Sequence, residues 1–416
     1  MRRNRLARIG LPVLLSVSLM GCGIVEDSAV AQSTEDSATS VEAASAQSTD
    51  DISGSAAVST VSADGSLLDT SDLFTDRDME QSADLTGATQ VDLVSGQDLT
   101  LTEEGVYVVR GEAVDVTIIV EADDEAKVQI VLDGVTIENA DAPAIYVRSA
   151  DKVLVTTTSS DNVMEVTGAY DADGDTNLDA VIFSRDDLVL NGTGTLTIVS
   201  AEGNGVTSKD DLKVTGGTYS VTSRMDALEA NDSIRIAGGD ITIVADQDGL
   251  HSENEDDLSL GYVYILDGTL DITAGDDAIR GTTIVQIDGG VINIETSTEG
   301  VEATQIQING GEIDIYATDD GLNASAKSNA YDVMIEVKGG VMTVAVGSGD
   351  TDAFDSNGTI YVNGGTIDIS ANSAFDSNGA AELNGGTVTV NGQVITEITQ
   401  SQMGGPGGGP RGGGGG

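Results

Sequence analysis

The sequence predicts an all-β chain wound as a single-stranded, right-handed parallel β-helix, with coils of about 21 or 22 residues and an N-terminal cap. Three observations predict it. Gly, Val, Ile, Thr, Asp and Asn are plentiful, and there are four Pro and no Trp; this is the composition of a β-rich body with many turns. A Gly-Gly or similar turn recurs along the chain. Around each turn the residues alternate between apolar and polar, with the period of two of a half-buried strand.

The repeat reads TGGTYSV, AGGDITI, LDGTLDI, DGGVINI, NGGEIDI, KGGVMTV, NGGTIDI and NGGTVTV. The second glycines, Gly217, Gly239, Gly268, Gly290, Gly311, Gly340, Gly365 and Gly386, are 21 or 22 residues apart where no insertion intervenes. In VQIDGGVINIE, Val285, Ile287, Ile292 and Ile294 are expected to point inward, and Gln286, Asn293 and Glu295 outward. The glycines suit a sharp corner with positive φ. A propeller would need longer blades with periodic aromatics, which this chain lacks. A solenoid needs capped ends, and the irregular stretch from Leu73 to Asp98 is the expected N-terminal cap. VYVVRG, VTIIVEA and KVQIVLDGVTI are expected to form the first coils.

Both ends lie outside this pattern. Met1 to Gly21 reads as an export signal, with a basic start and an apolar run. Leu19-Met20-Gly21-Cys22 has the form of a bacterial lipobox, so Cys22, the only cysteine, is expected to carry lipid. Residues 22–70 are expected to be a solvated Ser/Thr/Asp-rich tether, residues 71–400 the folded body, and residues 401–416 a flexible Gly/Pro-rich tail. The chain would then be a monomer held outside the cytoplasmic membrane, touching the bilayer only through its lipid.

Charge narrows the partners. Asp and Glu number 70 against 18 Lys and Arg, a formal charge of -52. Four of the arginines fall in the expected leader, so a chain starting at Cys22 is more acidic still. Such a protein does not bind nucleic acid or an anionic bilayer through bulk electrostatics. One cysteine rules out an internal disulfide framework, and no nucleotide, flavin or transition-metal motif is present.

The acids follow the repeat. After each Gly-Gly strand comes an acidic residue, then Gly or Ala, then an aliphatic residue: Asp226, Asp248, Asp277, Glu299, Asp320 and Asp352 begin such triplets. Asp179 extends the column upstream, and Asn204 fills it without charge. Stacked at about 4.8 Å, neighbouring carboxylates repel by about 3 to 4 kcal/mol at an effective dielectric of 20. Backbone N–H donors at each corner, arginines such as Arg185, Arg224 and Arg280, or hard divalent cations can compensate; Ca²⁺ is the natural ion for such oxygens. A separate insertion places Asp171, Asp173, Asp175 and Asp179 at alternating positions, as in calcium-binding loops. The segment from His251 to Asp257 reads as a solvated loop, with His251 at the surface.

The lipobox, the tether, the Gly-Gly repeats with DGL and DAI corners and the Gly/Pro tail together resemble one family. It is the bacterial carbohydrate-binding β-helix family first described as a clostridial cellulose- and polygalacturonate-binding protein. The match runs from about Phe74 to Thr399 and is most specific in AVIFSRDDLVLNGTG, SKDDLKVTGGTY, DALEANDSIRI and TTIVQIDGG. The resemblance implies a calcium-containing β-helix, shaped like a pectate lyase, that binds polysaccharide without cleaving it. Sugar stacking would fall to Tyr262 and Tyr264, with Tyr316 and Tyr361 the other strand tyrosines. Two further readings stand beside it. One is a structural or adhesive envelope protein without a glycan ligand. The other is a calcium-dependent polysaccharide lyase using Asp226, Asp248 and Asp277 for metal and Lys209, Arg224 or Arg280 as base.

Overall fold

The computed structural model describes residues 65–399, except Glu255 and Asp350. The leader, Cys22, the tether up to residue 64 and the tail lie outside the described residues. Within them the chain is all-β, with a single short helix, Asp76–Met79. The strands form two long sheets of 24 and 12 strands, and no closed barrel.

Through most of the chain three strands make one repeat, and each strand pairs in parallel with its counterpart in the next repeat. Ile279–Gly281, Ile284–Ile287 and Val291–Ser297 are one such repeat. They pair with Val301–Ala303, Gln305–Ile308 and Glu312–Ala317. The result is three parallel ladders: a short-strand ladder, a middle ladder and a glycine ladder. The last two count as one sheet because the early strands Gly105–Val114 and Lys127–Asn139 run through both.

The period of two fixes the core. Ile241, Leu270, Ile292, Ile313, Met342, Ile367 and Val388 stand in register along the glycine ladder. All are at most 2% exposed, while the residues between them face solvent. Ile234, Val263, Val285, Ile306, Ile335 and Ile360 make the facing row of the middle ladder. Such rows bury apolar surface at about 25 cal/mol per Å².

The second glycine of each pair takes positive φ, as at Gly290 with φ 90°. A Cβ at Gly290 would stand 2.9 Å from the Gly268 carbonyl oxygen, which is held by the Val291 N–H at 2.8 Å. Gly290→Ala is therefore expected to lower stability by about 1–3 kcal/mol in urea denaturation, because neither the backbone nor its neighbour can yield.

Residues 65–82 depart from the expectation. They form a strap along the outer face of the middle ladder, not an end cap, and the expected tether is already packed from Gly65. The Leu67 and Leu68 N–H groups donate to the Gln307 and Gln286 side chains at 3.2 and 2.9 Å. Phe74 lies against Tyr264, ring centroids 6.2 Å apart, and Gln81 reaches the Thr215 carbonyl at 3.0 Å. The helix is held by a capping box between Thr75 and Asp78. Asp78 is fully buried, with Lys152 Nζ at 3.0 Å and Lys213 Nζ at 3.7 Å. The strap explains why Tyr262–Ile265, Ile284–Ile287 and Gln305–Ile308 are buried on both faces. The stack itself begins with Thr89–Asp92, paired in parallel with Tyr107–Arg110.

Candidate functional site on the short-strand ladder

Each repeat enters its short strand through the acidic corner, and the corner acids form a hydrogen-bonded column. The Asp226 N–H donates to Asn204 Oδ1 at 2.9 Å, and the Asp248 N–H to Asp226 Oδ1 at 3.0 Å. The Asp277 N–H donates to Asp248 Oδ1 at 2.8 Å. Farther along, the Asp352 N–H donates to Asp320 Oδ1 at 2.8 Å. Each carboxylate thus caps the next repeat's corner, not its own.

The column is interrupted between Asp277 and Asp320. There the longer Glu299 stands in place of Asp, and among the described residues no N–H donates to the Asp277 carboxylate. Glu299 Oε1 accepts from Asn323 Nδ2 at 2.8 Å. Its Oε2, and Oδ1 of Asn323, are buried without a hydrogen-bond partner. Asp277, Glu299 and Glu302 each present an oxygen, all within 4.8 Å of one another; a second trio joins Asp248, Asp276 and Asp277. Within the first trio, among the described residues, ion pairs reach only Glu302, from Lys327 at 2.6 Å and Arg280 at 3.8 Å.

Burial of this oxygen-rich cluster raises its pKa values and so weakens its acids. Burial and the charges of Asp248, Glu299 and Glu302 push Asp277 up to about 9. Burial and Glu302 push Glu299 up to about 8. At the margins, burial with Asp226 raises Asp248 to about 6, and burial raises Asp320 to about 7, opposed by the Asp352 N–H. Burial and Glu229 raise Asp179 to about 6.

The donor set at the interruption fits a calcium ion: three carboxylates, with Glu299 Oε2 otherwise unpartnered. Oxygens that share a Ca²⁺ at about 2.3–2.6 Å lie within about 5 Å of each other, as these do. Asp277, Glu299 and Glu302 would hold the ion, with Asn323 beside them.

The other expected sites fare differently. The insertion does not gather its acids. Asp173 is drawn to Arg148 at 3.2 Å and to the Tyr146 hydroxyl, also 3.2 Å, while Asp171 and Asp175 face solvent. Asp179 instead accepts from Asn177 at 3.2 Å. The four acids make no common centre, because ion pairing and the close Asp173–Thr176 turn hold them apart. Tyr262 and Tyr264, expected to stack on sugar, are 8% and 1% exposed. The strap covers them, which corrects that assignment. Tyr316 remains 45% exposed.

His251 is also not a free surface residue. It lies in the short strand Leu250–Ser252, with Nδ1 2.8 Å from Asp226 Oδ2. The lyase bases are engaged too: Lys209 with Glu229 at 3.2 Å, Arg224 with Asp246, and Arg280 between Asp248 at 3.6 Å and Glu302.

Glu302 and Asn323 were not singled out from sequence, and His251 was read as a surface residue, although a signal existed. The third residue after each column acid is Glu229, His251, Arg280, Glu302, Asn323 and Asp355. These stand in register along the outer face of the ladder. A cavity of about 440 Å³ opens on this row, lined by Lys209, Glu229, Asn231, His251, Glu253, Asn254 and Asp256.

The chain is similar to known proteins. The model of the carbohydrate-binding domain-containing protein family matches residues 95–353 and 305–394. A carbohydrate-binding domain-containing protein of Acetivibrio thermocellus is 40% identical over 212 residues, half of this chain and 74% of the relative. A solved structure, the polysaccharide lyase-like protein from C. thermocellum as a gadolinium derivative, is 32% identical. It is covered over 92% of its length by 54% of this chain, with a TM-score of 0.46. With most of the folded body matched by the family model, this chain belongs to the carbohydrate-binding domain-containing protein family.

Proposed function

We propose that this protein is a surface-anchored, calcium-dependent polysaccharide-binding protein, built as a right-handed parallel β-helix and tethered through lipid on Cys22. The observation that carries the reading is the in-register row of polar groups on the short-strand ladder, in a chain of the carbohydrate-binding family. A regular row along parallel strands matches a polymer ligand better than a small molecule. The interruption at Asp277, Glu299 and Glu302 supports calcium, which supplies the positive charge this acidic face lacks. Shared between protein and uronate carboxylates, the ion would let an acidic protein hold an acidic glycan. Tyr316 offers the exposed aromatic face. Lys209 and Arg280 are tied to carboxylates, which leaves neither free to act as a base and favours binding over β-elimination.

The test is electrophoresis of the protein through gels containing polygalacturonate or soluble cellulose, with millimolar calcium and with chelator. Retardation is expected only with calcium, with the circular dichroism of a folded protein in both. Unchanged mobility in every gel would sink the glycan assignment for these polymers and favour a structural envelope role. Release of unsaturated uronate ends would favour a lyase.

A further inference from the structure

The column also contains a place that does not suit calcium. Asp226 Oδ2 and Asp248 Oδ2 both face His251 Nδ1, at 2.8 and 3.5 Å, and the three donors lie within 4.8 Å of one another. We propose that Asp226, Asp248 and His251 form a site for a divalent transition metal of the zinc class, separate from the calcium position.

The geometry is preorganised on each donor. Oδ1 of Asp226 is held by the Asp248 N–H, and Oδ1 of Asp248 by the Asp277 N–H. The remaining oxygen of each carboxylate is thereby fixed toward the ring. His251 Nε2 lies 3.2 Å from Glu253 Oε2. This is the carboxylate–histidine arrangement that fixes the tautomer and strengthens a metal-bound imidazole. Asp248 and Asp226 are only 3% and 7% exposed, so two fixed negative charges meet in a poorly hydrated place.

The donor chemistry selects the ion. Calcium takes oxygen ligands, whereas an imidazole with carboxylates suits zinc, cobalt and their neighbours. In a tetrahedral zinc site, donors at about 2.0–2.2 Å stand about 3.3 Å apart. Admitting the ion therefore needs the Nδ1–Asp226 separation to open by only about 0.5 Å. The cavity of about 440 Å³ that His251 and Glu253 line gives access and room for a fourth ligand, a water or a glycan oxygen. Arg280 Nη1, 3.6 Å from Asp248 Oδ2, is the built-in competitor, and a protonated His251 would satisfy the same carboxylates as an ion pair.

Cobalt is the probe. The full-length protein is stripped with chelator, returned to millimolar calcium and titrated with Co²⁺, following the visible d–d absorption. One equivalent is expected to bind and to be displaced by Zn²⁺ but not by more calcium. His251→Gln is expected to weaken binding at least tenfold. Glu253→Gln, which leaves all three donors in place, is expected to weaken it about tenfold. Arg280→Gln should tighten it. Absence of saturable Co²⁺ binding, or binding indifferent to both His251→Gln and Glu253→Gln, would overturn the proposal and leave an ion pair only. Calcium binding is measured by calorimetry on the same samples, so failure of this site and failure of the calcium position are read separately.

Discussion

Withdrawing calcium at about pH 8 is expected to lower the thermal midpoint of the wild-type protein sharply, and to do so less at about pH 5. Asp277 and Glu299 have folded-state pKa values near 9 and 8, raised from 3.8 and 4.5 by burial and by the charges of neighbouring carboxylates. Below the unfolded values both groups are protonated in either state, and no penalty exists. Above them the unfolded chain has released protons that the folded chain retains. Stability then falls by about 1.4 kcal/mol per pH unit for each group, until the pH passes the folded values. The calcium-free protein should therefore weaken steadily between about pH 4.5 and 9. Calcium replaces those protons, so its stabilisation grows over the same window.

Asp277→Asn with Glu299→Gln removes the charges at issue. In chelator at about pH 8 this variant should melt above the wild type, and calcium should no longer raise its midpoint. Scanning calorimetry across pH, with calcium and with chelator, reads all of this. Superimposable wild-type curves in the two conditions would show that the cluster is held by shared protons alone.

The second large effect concerns the strap. Asp78→Ala leaves Lys152 and Lys213 facing no carboxylate except Asp187 and Asp211, at 3.7 Å or more. Removing one partner of a buried ion pair costs about 3–5 kcal/mol, and the capping box is lost as well. The cheapest relief is for residues 65–82 to lift off and let water reach the lysines. Amide exchange at Leu67 and Leu68, bonded to Gln307 and Gln286, is then expected to accelerate by about two to three orders of magnitude. Tyr262 and Tyr264 should become accessible to solvent. Unchanged exchange would show that the apolar contacts of Leu67 and Phe74 hold the strap without the ion pair. The pH dependence has the opposite sign to that of the calcium cluster. Burial alone would raise Asp78, but the Thr75 N–H and the charges of Lys152 and Lys213 outweigh it and lower its pKa below 3.8. Its contribution is present above that value and is lost as the pH falls through the folded one.

The sequence by itself determined the all-β character, the stacking of parallel strands and the rows that fill the core. These follow from local rules. Alternation assigns Ile292 and Ile294 to one face whatever lies beyond it, and a Gly-Gly corner states its own backbone requirement. The acidic column was legible for the same reason, since a repeat carries equivalent residues to equivalent places. The tertiary structure alone decided what covers each face and which donor meets which oxygen. Alternation put Gln286 outward, and Tyr264 stands in register with it, but only the strap, arriving from some 200 residues away in sequence, turned that face inward. Asp173 looked like a calcium ligand by spacing, and Arg148 claimed it in space. Glu299 looked like one more rung of the column. Its carboxylate turns to Asn323, and with no N–H of the described residues on the Asp277 carboxylate, Asp277, Glu299 and Glu302 group their oxygens where calcium fits. Periodicity records which side a residue faces; partners separated by whole repeats are set by register, and register exists only once the chain has stacked.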